Sequence, residues 1–138
     1  MLGEGDRLPA VTVLDDGGTE VTTTDLLGGP LVLYFYPKDD TPGCTSEASQ
    51  FRDVYQHFKE KHAQIVGVSR DSVESHQRFK KKFSIPFPLL ADTDSKLYRA
   101  FGVNGRSTFL IDREGKIVRV WPKVNVSEHA EEVLASLP

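Results

Sequence analysis

The sequence predicts an α/β fold: a mixed central β-sheet flanked by helices on both faces and entered through an N-terminal β-hairpin. Three observations predict it. Strand-like and helix-like segments alternate along the chain, the pattern of strands joined by helical crossovers. Two runs, Leu31–Tyr36 and Ile65–Val68, are apolar without alternation, as expected of strands covered on both faces. Two turn-forming spacers, Asp15-Asp16-Gly17-Gly18 and Asp112-Arg113-Glu114-Gly115, separate β-prone segments and read as hairpin turns. The chain has 138 residues, which suits one domain spanning 1–138, since domains peak near ~100–150 residues.

Taken in order, Val11–Leu14 and Glu20–Thr22 form the first hairpin. Asp25–Pro30 is a brief helical turn stopped by Gly28, Gly29 and Pro30. Leu31–Tyr36 is a central strand ended by Pro37, and Thr41–Cys44 is a turn. A helix follows from Thr45 to about His62, because Ala48, Phe51, Tyr55 and Phe58 recur on one face. Ile65–Val68 is the second central strand, and Ser72 caps a helix running to about Phe83. Pro88–Ala91 is a third strand. Asp94 or Ser95 opens a short helix through Phe101. Ser107–Ile111 and Lys116–Trp121 make the second hairpin, and Ser127 caps a last helix reaching Leu137.

Hydrophobic residues make up 38% and charged residues 27%, a balance that excludes disordered and membrane-embedded classes. The net charge of −3 gives no electrostatic reason to expect a nucleic acid or an anionic membrane as partner. Met1–Asp6 lacks a basic stretch followed by an apolar run, so no secretory leader is expected. Cys44 is the one cysteine. It excludes an internal disulfide and a zinc site built on paired cysteines, and it points to a reducing, cytoplasmic compartment. His57, His62, His76 and His129 show no metal-ligand spacing and read as solvated or capping residues. Lys80-Lys81-Lys82 reads as a solvated helix face, and Trp121 as partly exposed packing.

Cys44 falls at a helix start just beyond the strand Leu31–Tyr36, and chemistry in open α/β sheets gathers at the carboxyl ends of strands. There a thiol meets unpaired backbone N–H groups and the positive end of the helix dipole, which favour thiolate. Thr41, three residues earlier, could donate its hydroxyl to the sulfur or to an oxygen bound beside it. Pro42 and Gly43 shape the turn and leave room for close backbone approach. On position alone, a buried structural cysteine stays open beside a reactive one.

Pro37, Thr41 and Cys44 match in order and spacing the proline-x-x-x-threonine-x-x-cysteine motif of peroxiredoxins. The string from Phe35 to Thr45, with Glu47 and Phe51-Arg52-Asp53 after it, resembles the bacterioferritin-comigratory-protein, or peroxiredoxin Q, branch, as does Gly105–Asp112. The resemblance covers nearly the whole chain. It implies a thioredoxin-like (peroxiredoxin) fold and a thiol peroxidase reducing hydrogen peroxide and organic hydroperoxides. Cys44 would be oxidised to a sulfenic acid, Thr41 would hydrogen-bond the substrate, and Arg106 would reach over to the sulfur. Pro37, Thr41, Gly43, Cys44 and Arg106 would line the substrate site. Glu47 would either hold an arginine or stay an exposed first-turn carboxylate. No metal or organic cofactor is implied. Thioredoxin or glutathione with glutaredoxin would return the thiol, and the working form would be a monomer.

One departure is visible. Many members of the branch carry a resolving cysteine five residues after the first, where this chain has Ser49. Either the mechanism uses one cysteine or the serine is an engineered replacement for the resolving cysteine. Rival readings fare differently. A dithiol oxidoreductase is excluded because Thr41 stands where the first cysteine of a Cys-x-x-Cys would be. A cysteine hydrolase needs a histidine at the sulfur. A peroxide-responsive redox sensor or thiol-binding module would share the same site.

Overall fold

A computed structural model describes residues 1–138. The strands are β1 (Thr12–Asp15), β2 (Glu20–Thr22), β3 (Leu31–Phe35), β4 (Gln64–Ser69), β5 (Leu89–Ala91), β6 (Ser107–Ile111) and β7 (Ile117–Trp121). The helices are α1 (Pro42–Asp53), α2 (Tyr55–Glu60), α3 (Val73–Phe83), α4 (Lys96–Phe101) and α5 (His129–Ala135). All seven strands join one sheet in the order β2-β1-β5-β4-β3-β6-β7. β3, β4 and β5 run parallel, while β1 and β6 flank them antiparallel and carry the two hairpin partners, β2 and β7.

The unbroken apolar run of β3 resolves into two alternating sets. Val32 and Tyr34 pack with Ala48, Phe51, Phe58, Phe79 and Val133 from α1, α2, α3 and α5. Leu31, Leu33 and Phe35 pack on the opposite face with Leu97, Tyr98 and Phe101 of α4. A strand buried on both faces needs apolar residues at every position, so β3 lies centrally and ends inside the molecule. Both hairpin turns form as expected. The Asp15 and Asp112 carboxylates each accept two backbone N–H groups of their own turn, and Gly18 and Gly115 adopt positive φ.

Several boundaries differ from the sequence expectation. The helix expected over 45–62 begins at Pro42 and is broken at Val54, whose backbone leaves helical geometry (φ −109°, ψ 9°). The early start follows from Pro42 at the first helical position, where a missing N–H is harmless. The turn near residue 25 is a 3₁₀ turn over Thr23–Leu26. Ser72 caps α3, its hydroxyl accepting the Ser75 N–H at 3.1 Å. α4 is capped instead from Asp92, whose two carboxylate oxygens accept the Leu97 and Tyr98 N–H groups; Ser95 sits at φ 58° and makes no cap bond. α5 starts at His129 rather than Ser127, and Glu128 at φ 62° occupies the capping position. Trp121, expected to be partly exposed, is buried edge-on against the His129 ring. No helix is long and apolar enough to cross a membrane.

Candidate active site at the start of α1

β3 delivers the chain to Tyr36 and Pro37, and the loop 37–41 turns it into α1. Thr41 is extended (ψ 155°), as a residue before proline must be, and the first helical turn closes with Thr45 N–H donating to the Thr41 carbonyl at 2.8 Å. Cys44 is the third residue of α1, so its own N–H belongs to the first turn, which has no intrahelical acceptor. The side chain lies inward, and the residue is 1% exposed.

Arg106 comes from far along the sequence but from the adjacent strand, immediately before β6. Antiparallel pairing of β3 with β6 sets Phe35 against Ser107, which places the residue before β6 level with the end of β3. The Val124 N–H donates to the Arg106 carbonyl, pinning that corner to the loop after β7. The guanidinium then forks. Nη2 donates to Cys44 Sγ at 3.3 Å, and Nη1 donates to Glu47 Oε1 at 2.7 Å. Gly43 makes the approach feasible, because a Cβ there would lie 3.1 Å from Nη2. The alternatives left open for Glu47 are thus resolved: its side chain is buried and paired, not an exposed carboxylate.

The electrostatics follow from burial. Burial pushes Glu47 up to about 7, with Arg106 offsetting part of the effect. Burial alone would lower Arg106, but the Glu47 charge and the contact with Cys44 outweigh it and raise it. Thr41 differs from expectation. Its hydroxyl donates to the Lys38 carbonyl at 2.8 Å, so it has lone pairs rather than a proton to offer a substrate. Pro37 is exposed beside Lys38, and Ser49 is half-buried further along α1.

Two of the histidines expected to be solvated or capping, His76 and His129, are buried. His76 is enclosed on α3, with Nδ1 2.7 Å from Asp39 Oδ2 and Nε2 2.9 Å from the Leu90 carbonyl. Asp39 also accepts the Tyr36 and Ser75 hydroxyls, and its N–H donates to Asp71. This network ties the loop before Cys44 to α3 and β4. Its sequence signal was the position of His76 between Val73 and Phe79 at three-residue steps, which puts it on the buried stripe of the helix. His129 faces Thr108 Oγ1 at 2.9 Å and the Phe51 and Trp121 rings. His57 and His62 are exposed. With neither buried histidine bonded to Cys44, the sulfur has a cation for a neighbour rather than a general base.

A cavity of about 520 Å³ borders Arg106, with Gly105, Ser107, Pro122, Lys123 and Val124 among its walls. The site can therefore hold an anionic sulfur beside a fixed cation and helix-end amides, next to an open groove.

Residues 5–120 match the AhpC/TSA family. The chain is 45% identical to the peroxiredoxin Bcp of Bacillus subtilis, over 96% of this chain and 93% of that protein. A Xylella fastidiosa PrxQ, solved as a cysteine-to-serine variant, superposes with a TM-score of 0.94 at 40% identity, covering 98% of this chain and 94% of that one. The Xanthomonas campestris bacterioferritin comigratory protein, solved in work on its alkyl peroxide reduction, superposes at 0.90 with 41% identity over 95% of this chain and 96% of that one. With the Cys44–Arg106–Glu47 geometry set on this sheet, these matches place the chain in the AhpC/TSA family, among the peroxiredoxins of the Bcp/PrxQ branch.

Proposed function

We propose that the chain is a thiol-dependent peroxidase that reduces hydrogen peroxide and organic hydroperoxides, with Cys44 as the attacking group. The observation that carries this reading is the Arg106 fork, which sets one guanidinium N–H on the sulfur and another on a buried carboxyl. The thiolate attacks the terminal oxygen of ROOH, the S–O bond forms as the O–O bond breaks, the alkoxide leaves and is protonated to ROH, and Cys44 remains as the sulfenic acid. Arg106 stabilises the thiolate before attack and the negative charge that moves onto the leaving oxygen during it. Thr41, its proton committed to Lys38, accepts the hydrogen bond of the peroxide O–H and orients that oxygen toward Sγ. Pro37 and Gly43 shape the mouth of the site. The groove bordering Arg106 takes the organic part of larger hydroperoxides. An external thiol, thioredoxin or glutathione with glutaredoxin, restores Cys44. The lone cysteine supports a reducing compartment such as the cytoplasm.

The test is peroxide consumption by pure protein with each reductant system supplied separately. Without reductant, rapid consumption is expected to end at about one equivalent, and excess peroxide then to carry Cys44 to sulfinic acid with use of a second. With the right reductant it continues, and Cys44→Ser abolishes it. A sensor or thiol-binding module would be oxidised once and would not turn over with either system.

A further inference from the structure

Cys44 and Glu47 lie three residues apart on α1 and therefore share a face. Both are about 1% exposed. Glu47 Oε1 accepts from Arg106, but its other oxygen, Oε2, is buried without a hydrogen-bond partner. One guanidinium thus faces two acidic groups, and no second cation stands opposite them. The remaining titratable groups around the pair are Tyr34 on β3, whose buried hydroxyl is also unpartnered, Tyr98 on α4, whose hydroxyl donates to the Tyr36 carbonyl, and His129 on α5, held neutral by burial. Two full anions against a single cation would leave a buried net charge, and an orphan carboxylate oxygen would add to the penalty. A proton on Glu47 removes both burdens while Cys44 is a thiolate. Once Cys44 becomes a neutral sulfenic acid, Arg106 has a charge to spare and the carboxylate is favoured.

We infer that Glu47 holds a proton while Cys44 is a thiolate and releases it when Cys44 is oxidised, so that Arg106 faces one negative charge throughout turnover. The step balances. Thiolate, ROOH and the Glu47 carboxylic acid give sulfenic acid, ROH and the Glu47 carboxylate. The S–O bond forms as the O–O bond breaks, sulfur loses two electrons to the peroxide, and the proton released by Glu47 matches the one the leaving alkoxide takes up. The ionisation of Glu47 near 7 places the group where the loss of a neighbouring charge tips it.

This inference rests on Cys44 being the oxidised residue, and the experiment separates the two. Reduced protein at neutral pH receives stoichiometric hydrogen peroxide, and intact mass and the infrared difference spectrum are recorded together. The expected result is one oxygen gained on Cys44 and loss of one protonated-carboxyl stretch. That band should shift when the wild type is grown with ¹³C-labelled glutamate, and it should be missing from Glu47→Gln. If Cys44 gains oxygen and no such band disappears, or the band survives in Glu47→Gln, Glu47 only positions Arg106 and the inference is overturned. If Cys44 gains no oxygen, the assignment of the oxidised residue falls first. Because Glu47 is the one buried glutamate, an isotope shift of the lost band assigns it in the wild type even where Glu47→Gln does not fold.

Discussion

Gly43 and Arg106 are fitted to one another at the scale of single atoms. The guanidinium sits against Cys44 Sγ so closely that a Cβ on Gly43 would lie 3.1 Å from Nη2, and Nη2 would have to give way by a few tenths of an ångström. Gly43→Ala is therefore expected to displace Nη2 from the sulfur and slow Cys44 oxidation in stopped-flow measurements. The melting temperature should change little, because Gly43 lies in a normal helical region and not at positive φ. Arg106→Lys keeps the charge but loses the planar fork that holds the sulfur and Glu47 together. A loss of ~10²-fold in the rate of peroxide reduction is expected, in line with removing a charged donor to the transition state; an unchanged rate in a folded variant rules out the role. Of these residues, Cys44 and Thr41 were picked out by motif spacing, and Arg106 by the resemblance of Gly105–Asp112 to the branch. The state of Glu47 was not legible, because a helix starting at Thr45 puts it in an exposed first turn, whereas α1 starts at Pro42 and only the corner before β6 supplies the arginine that draws it inward. The pairing of Asp39 with His76 was not legible for a similar reason: the two residues lie far apart in sequence and meet only where α3 packs on the loop before α1.

α1 begins with the residues that carry chemistry, so its helical order and its reactivity are linked. Cys44 and Ser49 both lie within the unbroken span Pro42–Asp53, and residues five apart point about 140° away from each other around a helix. A disulfide between these positions needs the first turn to unwind. Ser49→Cys is expected to form one on peroxide treatment, with a fall in helical circular dichroism that this sequence does not show when oxidised. Stable sulfenate in Ser49→Cys, with the second thiol still free, would mean that position 49 does not resolve Cys44 here. Other features of the elements divide by how local their causes are. β3 and both hairpins were readable because their determinants, an apolar run and Asp/Gly turns, lie within the segments. The break at Val54 was not, since no glycine or proline marks it. Nor was the cap of α4, because Asp92 reaches forward to Leu97 and Tyr98 past the left-handed Ser95.

Across the whole molecule, three buried side chains shape stability against pH in different directions. His129 is lowered from 6.5 to about 4, chiefly by burial. The folded chain then binds fewer protons than the unfolded one between those values, so its contribution is full above 6.5 and is lost as pH falls toward 4. Glu47 is raised from 4.5 to about 7 by burial. There the folded chain binds more protons, and stability is gained as pH falls from 7 toward 4.5. For His76, burial alone would lower the value, but the hydrogen bond and charge of Asp39, with the Leu90 carbonyl and Asp71, outweigh it and raise it. Its contribution is present below 6.5 and is lost as pH rises through the folded value. The first two effects overlap and oppose each other, each on the order of a few kcal/mol at the end of its window. Urea unfolding at a series of pH values is therefore expected to give a nearly flat wild-type curve between about pH 6.5 and 4.5, where the two windows overlap. Glu47→Gln should expose the acid loss from His129, and His129→Asn should expose a gain on acidification from Glu47. His76→Asn should flatten the alkaline side and leave the acidic side unchanged. Parallel curves for wild type, Glu47→Gln and His129→Asn would show that the two buried groups do not offset each other, and that Glu47 enters the folded state with its ordinary acidity.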